Sequence, residues 1–141
     1  MSEIELIPPS RVDHYWPEMK KQLDRIPHTW TRMTKESIYE RIQDEVLQVW
    51  GVGEEVIELV VMTQFVLYDT GRVLQVVHAF GSRLDFWLPK LDAMFERVAQ
   101  KSGCGEIEII GRKGWERKLE SLGFEFESIV LKRKVKNWRM Q

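Results

Sequence analysis

The sequence predicts an α/β fold of the α+β, mixed-sheet kind, with helices on both faces of the sheet. Hydrophobic residues follow helical spacing in some segments and alternation in others, in the order β-α-α-β-β-β-α-β-α-β. Val73–Phe80 is apolar on both faces, which is typical of a central strand. Glu106–Val135 then reads as a strand, a short amphipathic helix with a glycine stop, and a last strand.

Length and composition fit one domain of ordinary size. The chain has 141 residues, of which 43% are hydrophobic, enough to form a core. We expect residues 1–135 to form a single domain and residues 136–141 to form a basic C-terminal tail.

The charge balance and the cysteine count exclude several classes of protein. The 21 Lys and Arg nearly match the 22 Asp and Glu, whereas a general nucleic-acid binder usually has a basic excess. No apolar run approaches the roughly 18 residues of a membrane span, so we expect no membrane insertion. One cysteine and an N-terminus without a signal-peptide pattern favour the cytoplasm.

The first third of the chain predicts one strand and two helices. Ile4–Ile7 alternates weakly and stops at a proline pair, which indicates a short strand. Apolar residues then follow helical spacing from Val12 to Ile26. We expect Pro17 to split this run, with the main helix starting near that proline, because the first turn of a helix tolerates proline. Thr34 is the predicted N-cap of the second helix.

The middle of the chain predicts three antiparallel strands. Leu47–Val52 and Val56–Tyr68 are rich in β-prone residues. Asp69–Arg72 predicts a hairpin turn, in which Gly71 supplies a positive φ, and Val73–Phe80 follows as the next strand.

The remaining elements alternate between helix and strand. A third helix is predicted from Leu84 to a glycine stop at Gly103. The strand Glu106–Ile110 follows, and a short helix then presents Leu119 on its apolar side. The last strand is predicted over Phe124–Lys134.

This element order resembles the GCN5-related N-acetyltransferase (GNAT) fold over nearly the whole chain. The likeness also rests on Gly123-Phe124 after the last helix, which is similar to the helix, Gly-Phe, strand signature of that family. The turn Gly111–Trp115 looks like small GNAT-like proteins of bacteriophages, which implies an accessory or virion protein. The resemblance implies that acetyl-CoA enters between the fourth and fifth strands, with its pyrophosphate on amides at the start of the next helix.

The segment that matches the family's cofactor motif departs from it. The spaced glycines are absent, and Asp85, Phe86 and Trp87 follow where a diphosphate needs room. We therefore expect acetyl-CoA binding to be weak or absent. If the cofactor binds, the resemblance assigns its contacts to Val77, His78, Ala79, Gly81, Ser82, Arg83, Leu84 and Arg112.

The catalytic positions are also incomplete. The family's thiolate-protonating tyrosine is replaced by Leu119, which cannot donate a proton. His78 is a weak candidate for a base or a pantetheine contact; the alternative is a half-buried histidine bonded to a backbone carbonyl. Glu58 is a weak candidate for a base acting through water; the alternative is an outward-facing strand residue.

Other residues suggest ligand or partner contacts. Arg112, at a predicted strand end, could clamp an anionic group. Trp30 and Trp138 fall in a predicted loop and in the tail, and tryptophan is enriched at binding hot spots, so we expect a protein partner there. The three histidines and the cysteine lack metal-ligand spacing, so no metal is expected.

Two functions follow from the sequence. The favoured one is a GNAT-like binding or structural protein, such as a phage-type accessory component, that has lost its chemistry. The alternative is an acetyl-CoA-dependent N-acetyltransferase that acts on a small-molecule or peptide amine. A fold does not by itself decide between them.

Overall fold

The structure, a computed structural model, describes residues 4–25, 32–53, 55–111, 115–127, 131 and 133–136. The chain divides into two compact units, Met1–Gly111 and Arg112–Gln141. The described part of the second unit contains α4 (Trp115–Glu120). The first unit contains β1 (Glu5–Ile7), α1 (Pro9–Asp24), α2 (Lys35–Gln43), β2 (Gln48–Gly53), β3 (Ile57–Tyr68), β4 (Gly71–Gly81), α3 (Leu84–Lys101) and β5 (Glu106–Ile109).

The five described strands form one mixed sheet whose spatial order equals the chain order, β1-β2-β3-β4-β5. Strands β1 to β4 pair antiparallel with their neighbours, and β5 pairs parallel with β4. The parallel pairing requires a crossover, which α3 provides. Because β4 has a partner on each side, the prediction that Val73–Phe80 is central is confirmed.

Strands β4 and β5 separate before β4 ends. Their last register pair is Val76 with Ile109, and the N–H of Ile110 still donates to the carbonyl of Val76 at 3.2 Å. Strand β4 then continues through residues 77–81 along β3 alone, as far as the pair of Gly81 with Leu59. We call this opening between the end of β4 and β5 the fork.

A β-bulge lies at the start of the fork. Met62 pairs with His78 and Thr63 pairs with Val76, so Val77 is the extra residue on β4. A bulge interrupts the ladder and increases the local twist. The sequence therefore bends β4 at the level where β5 diverges.

The sheet separates two hydrophobic cores. On one face α1 and α2 pack on the sheet, and the core consists of Ile7, Val12, Tyr15, Met19, Leu23, Met33, Ile38, Ile42, Leu47, Val49, Val60, Met62 and Val77. On the other face α3 packs on the sheet, and the core consists of Val52, Leu59, Val61, Leu74, Val76, Trp87, Leu91, Met94, Phe95 and Ala99. Helices on both faces were predicted from the sequence.

The predicted division of the first helix at Pro17 is wrong. Helix α1 is continuous, with Pro8 as its N-cap, Pro9 in its first turn and Pro17 in its interior. The earlier proline pair suits the start of the helix because its missing N–H groups need no partner there. Pro17 lies on the exposed side, so the buried stripe of α1 passes it without interruption.

The other helix ends follow the sequence. The Thr34 hydroxyl accepts from the N–H of Ser37 at 3.1 Å and caps α2, as predicted. Gly103 and Gly123 take positive φ after α3 and α4. Of the last predicted strand, residues 124–127, 131 and 133–134 are in no strand, and residues 128–130 and 132 lie outside the described residues. At these described residues the predicted strand is not observed, and over residues 128–130 and 132 it stays a prediction.

We expect Gly81→Ala to destabilise the protein more than Gly71→Ala does. Both glycines have φ near +140°, but a Cβ on Gly81 would lie 2.2 Å from the carbonyl oxygen of Glu58, whereas nothing lies within 4 Å of one on Gly71. Backbone strain alone costs about 1 kcal/mol or more, and the backbone clash adds to it. Urea unfolding of both variants measures the difference, and equal losses would contradict the close packing of β4 on β3.

We expect Leu119→Ala to lower the free energy of unfolding by about 2–5 kcal/mol, as large-to-small changes of buried residues do. Leu119 is 8% exposed on α4. Leu131→Ala is the matched control, because that leucine is 85% exposed and its loss should cost almost nothing. Denaturant unfolding tests the pair; a loss below about 1 kcal/mol for Leu119→Ala would show that its burial contributes little.

Candidate functional site

The loop from β4 to α3 is drawn tightly onto the start of β3. Gly81 lies against the backbone of Glu58, and the N–H of Ser82 donates to the Glu58 carbonyl at 3.0 Å. Arg83 follows in the left-handed region, with φ 53°, and is the N-cap of α3 without a side-chain capping bond. The loop residues predicted to contact a cofactor are therefore brought together at the positive end of α3.

The positive charge of Arg83 at the start of α3 is already paired with a carboxylate of the protein. The Glu58 carboxylate accepts from Nε of Arg83 at 3.0 Å and from a second nitrogen of the same guanidinium. It also accepts weakly from the indole N–H of Trp87, at 3.4 Å. An anionic ligand at the start of α3 would therefore meet both a cation and the carboxylate that now pairs with it.

These contacts hold the pKa of Glu58 below its ordinary value. The hydrogen bond from Arg83 is the main cause; partial burial opposes it, and the Trp87 bond and the Arg83 charge support it. The carboxylate is thus charged at neutral pH, and its side chain is 29% exposed. Its predicted role as a base stays untested, but the structure gives it an ion pair at the start of α3.

The two aromatic residues after the loop behave differently. Trp87 is buried in the α3 core, so it does not obstruct the start of the helix. Phe86 is 51% exposed, and the cations of Arg83 and Lys90 lie over its ring at 4.9 and 4.8 Å. Phe86 is therefore the exposed aromatic beside the loop, between two positive charges.

A pocket of about 330 Å³ borders the same loop on the α1 side of the sheet. Glu18 and Gln22 of α1 form one wall, and Glu58, Phe80 and the start of the loop form the others. Two carboxylates in its lining make this pocket unfavourable for a diphosphate, so we do not assign the anion position to it.

The fork contains the other predicted cofactor residues. Val77 is the bulged residue, and its side chain packs in the core under α1 and α2. His78 pairs with Met62, so it shares that face of the sheet, and it is 4% exposed. Ala79 packs toward α3 instead. His78 is thus more deeply buried than a half-buried strand histidine, and its role as a base stays a prediction.

Next to the fork is a polar cluster formed by residues of β3, β4 and β5. Gln64 donates to Gln75 at 2.7 Å, and Gln75 donates to Glu108 at 2.6 Å. The Tyr68 hydroxyl donates to the same carboxylate, at 3.1 and 3.2 Å from its two oxygens. We call these four residues the sheet-face network.

The network continues the face that carries the α1 and α2 core. Alternation along β3 places Gln64 and Tyr68 on the side of Met62, and register pairs Gln64 with Gln75 and Gln75 with Glu108. The sequence signal was present in these alternating positions, which are polar in otherwise apolar strands. It remained ambiguous because the outward face of a strand shows the same pattern.

Several predicted residues cannot be placed. Arg112, Trp30 and Trp138 lie outside the described residues, so the anion clamp and the partner surface stay predictions. Within the described ranges no group of His, Cys, Asp and Glu is arranged to hold a metal. No helix of the described part combines the length and apolarity that crossing a bilayer requires.

Solved structures that resemble this one are acetyltransferases. A predicted acetyltransferase of Clostridium acetobutylicum with acetyl-CoA has a TM-score of 0.71 at 14% identity, over 95% of this chain and 96% of its own. Glucosamine-6-phosphate N-acetyltransferase of Arabidopsis thaliana has 0.68 at 15%, over 95% and 98%. Aminoglycoside N-acetyltransferase AAC(6')-Iy with CoA has 0.68 at 18%, over 95% of both chains.

These likenesses show that the chain has the GNAT fold, as the sequence predicted. At such low identity they show the fold and nothing finer. No protein-family model and no curated protein matches the sequence.

We expect the ion pair to make Glu58 titrate at unusually low pH. A lowered folded-state pKa contributes stability that is present above the unfolded pKa and is lost as pH falls through the folded pKa. NMR titration of the Glu58 carboxyl should give a pKa below the usual glutamate range in the native protein and a higher one in Arg83→Gln. An identical pKa in both proteins would show that Arg83 does not hold the carboxylate in solution.

Proposed function

We propose that this protein is an acetyl-CoA-dependent N-acetyltransferase that acts on an amine. The observation that carries the proposal is the fork, where β4 runs on for residues 77–81 after its last pair with β5. The fold relatives with bound acetyl-CoA or CoA support the choice of cofactor. When bound, acetyl-CoA supplies an activated acetyl group for transfer.

The fork suits an extended ligand because it leaves a strand edge without a sheet partner. Within the described residues β4 has no register pair with β5 beyond Val76. An extended chain can bind such an edge through main-chain hydrogen bonds, as peptides do when they add a strand to a sheet. The pantetheine arm of acetyl-CoA carries amides of the same kind, so residues 77–80 would bind and orient it.

The bulge also gives the backbone amides of β4 a second role in the proposed acyl transfer. An extra residue redirects the N–H groups of Val77 and its neighbours relative to the ladder. Preorganised N–H donors aimed at a carbonyl oxygen stabilise the charge that develops there during acyl transfer. With acetyl-CoA bound, amides of residues 77–79 would be the donors that polarise its carbonyl.

The start of α3 would hold the pyrophosphate, with Arg83 as its cation. The exposed guanidinium now pairs with Glu58, so a ligand anion would replace that carboxylate or share the cation with it. Lys90, whose ammonium lies over the Phe86 ring, adds a positive charge one helical turn beyond Phe86. An exposed ion pair contributes little free energy of binding, so a single contact with Arg83 supports moderate rather than tight affinity.

We assign no described side chain as the acid that would protonate the thiolate of CoA. Leu119, at the position of the family's tyrosine, lies buried on α4 and has no ionisable group. General-acid assistance is worth about 10²–10⁴-fold in rate. With acetyl-CoA bound, solvent water would have to supply this proton, and turnover would be correspondingly slow.

A second candidate is a GNAT-derived binding or structural protein without chemistry. The Glu58–Arg83 pair favours it, because it places a carboxylate beside the expected anion position. A phage-type accessory or virion role is narrower still and rests on the Gly111–Trp115 turn alone. For the enzyme we propose a cytoplasmic location, where acetyl-CoA is made and used.

Acetyl-CoA should stabilise the protein, and Arg83→Gln should weaken that effect. At 100 times its dissociation constant a ligand adds about 2.7 kcal/mol to the free energy of unfolding. Thermal unfolding with and without acetyl-CoA measures it, and calorimetry gives the affinities.

Arg97→Gln is the matched control, because Arg97 is an exposed arginine of the same helix, α3. Equal stabilisation of both variants would remove Arg83 from the site. No stabilisation of the native protein at millimolar acetyl-CoA would favour the second candidate.

A further inference from the structure

Glu108 is a carboxylate fixed in place by neutral donors. Gln75, itself 7% exposed, donates to it at 2.6 Å and is in turn held by Gln64 at 2.7 Å. The Tyr68 hydroxyl bridges both carboxylate oxygens. Each of these bonds restricts the carboxylate, so its position is set before any ligand arrives.

The negative charge of this site has no cationic partner in the described part of the chain. Ion pairs in that part join Lys35 to Asp24 and Arg83 to Glu58, and Glu108 belongs to neither. A half-buried carboxylate loses part of its hydration, and neutral hydrogen bonds offset that loss only partly. The sheet-face network is therefore a preorganised anion that a cation would complete.

The network lies beside the fork. Gln75 and Glu108 form the register pair immediately before Val76 and Ile109, the last pair of β4 with β5. One residue rises about 3.3 Å along a strand, so Gln75 is roughly 7 Å from the bulged Val77. A group bound at Glu108 is thus adjacent to the point where the strands separate.

We propose that the sheet-face network binds the acceptor as its ammonium form, with Glu108 as the charged contact. The ligand class is aliphatic amines that are cations at neutral pH. An ammonium group has three donors and a carboxylate has about four acceptor sites, so the carboxylate can keep its present partners and still accept. The inference rests on the proposed function, because the amine is an acceptor only if the protein transfers an acetyl group. It concerns the binding of the amine, which precedes any acyl transfer.

The experiment is an NMR titration of the full chain with n-butylamine at pH 7 and constant ionic strength. The side-chain amide signals of Gln64 and Gln75 report directly on the network, since Gln75 donates to Glu108. Butan-1-ol is the uncharged ligand control. The native protein should show saturable shifts with the amine and none with the alcohol.

Glu108→Gln keeps the shape of the side chain and an acceptor for its donors while removing the charge. It should weaken amine binding by about tenfold, the scale of a charge-assisted hydrogen bond. Glu106→Gln removes the same charge from the exposed Glu106 of the same strand and should bind like the native protein.

Absence of saturable shifts in the native protein would overturn the proposal. So would equal affinities in Glu108→Gln and Glu106→Gln, or equal shifts with butan-1-ol. Thermal unfolding of Glu108→Gln shows that the variant is folded. This titration contains no acetyl-CoA, so it tests the cation site separately from the proposed enzyme. If the protein binds the amine here but shows no acetyl-CoA binding in calorimetry, the proposed enzyme activity is contradicted and the cation site is supported.

Discussion

The geometry of this protein depends on the backbone pairing of β4. That strand holds β3 along its whole length and β5 along its first half only, and its bulge lies where the second partner leaves. The candidate functional groups lie on or beside this strand: the loop to α3 at its end, the fork along its free edge, and Gln75 at the start of that edge. A change of register here would move all of them together.

The two ends of the fork present opposite electrostatic situations. At the start of α3 a cation is already neutralised by Glu58, so an anionic ligand must compete with a group of the protein. Beside the bulge a carboxylate is held by neutral donors. Charge complementarity between a ligand and the two ends of the fork determines which ligands bind more than how tightly they bind. An anionic ligand at the first end and a cationic one at the second would match this order of charges.

The sequence predicted the fold well because strand alternation, helix spacing and glycine stops are local signals. The central strand, the Thr34 cap and the GNAT order are all confirmed. Pro17 misled the prediction, since a proline on the exposed side of a helix need not end it. The site was harder, because the Glu58–Arg83 pair and the contact of Glu108 with Gln75 join residues 25 and 33 positions apart. No single-sequence pattern encodes such pairs.

The unequal pairing of β4 also has a consequence for how the fork opens. Its ladder with β3 comprises ten register pairs, whereas the one with β5 comprises four. Separating β4 from β5 therefore breaks fewer backbone hydrogen bonds than separating β4 from β3, and local opening favours contacts that few hydrogen bonds hold. The fork can therefore widen at lower cost in backbone hydrogen bonds than the antiparallel part of the sheet can open.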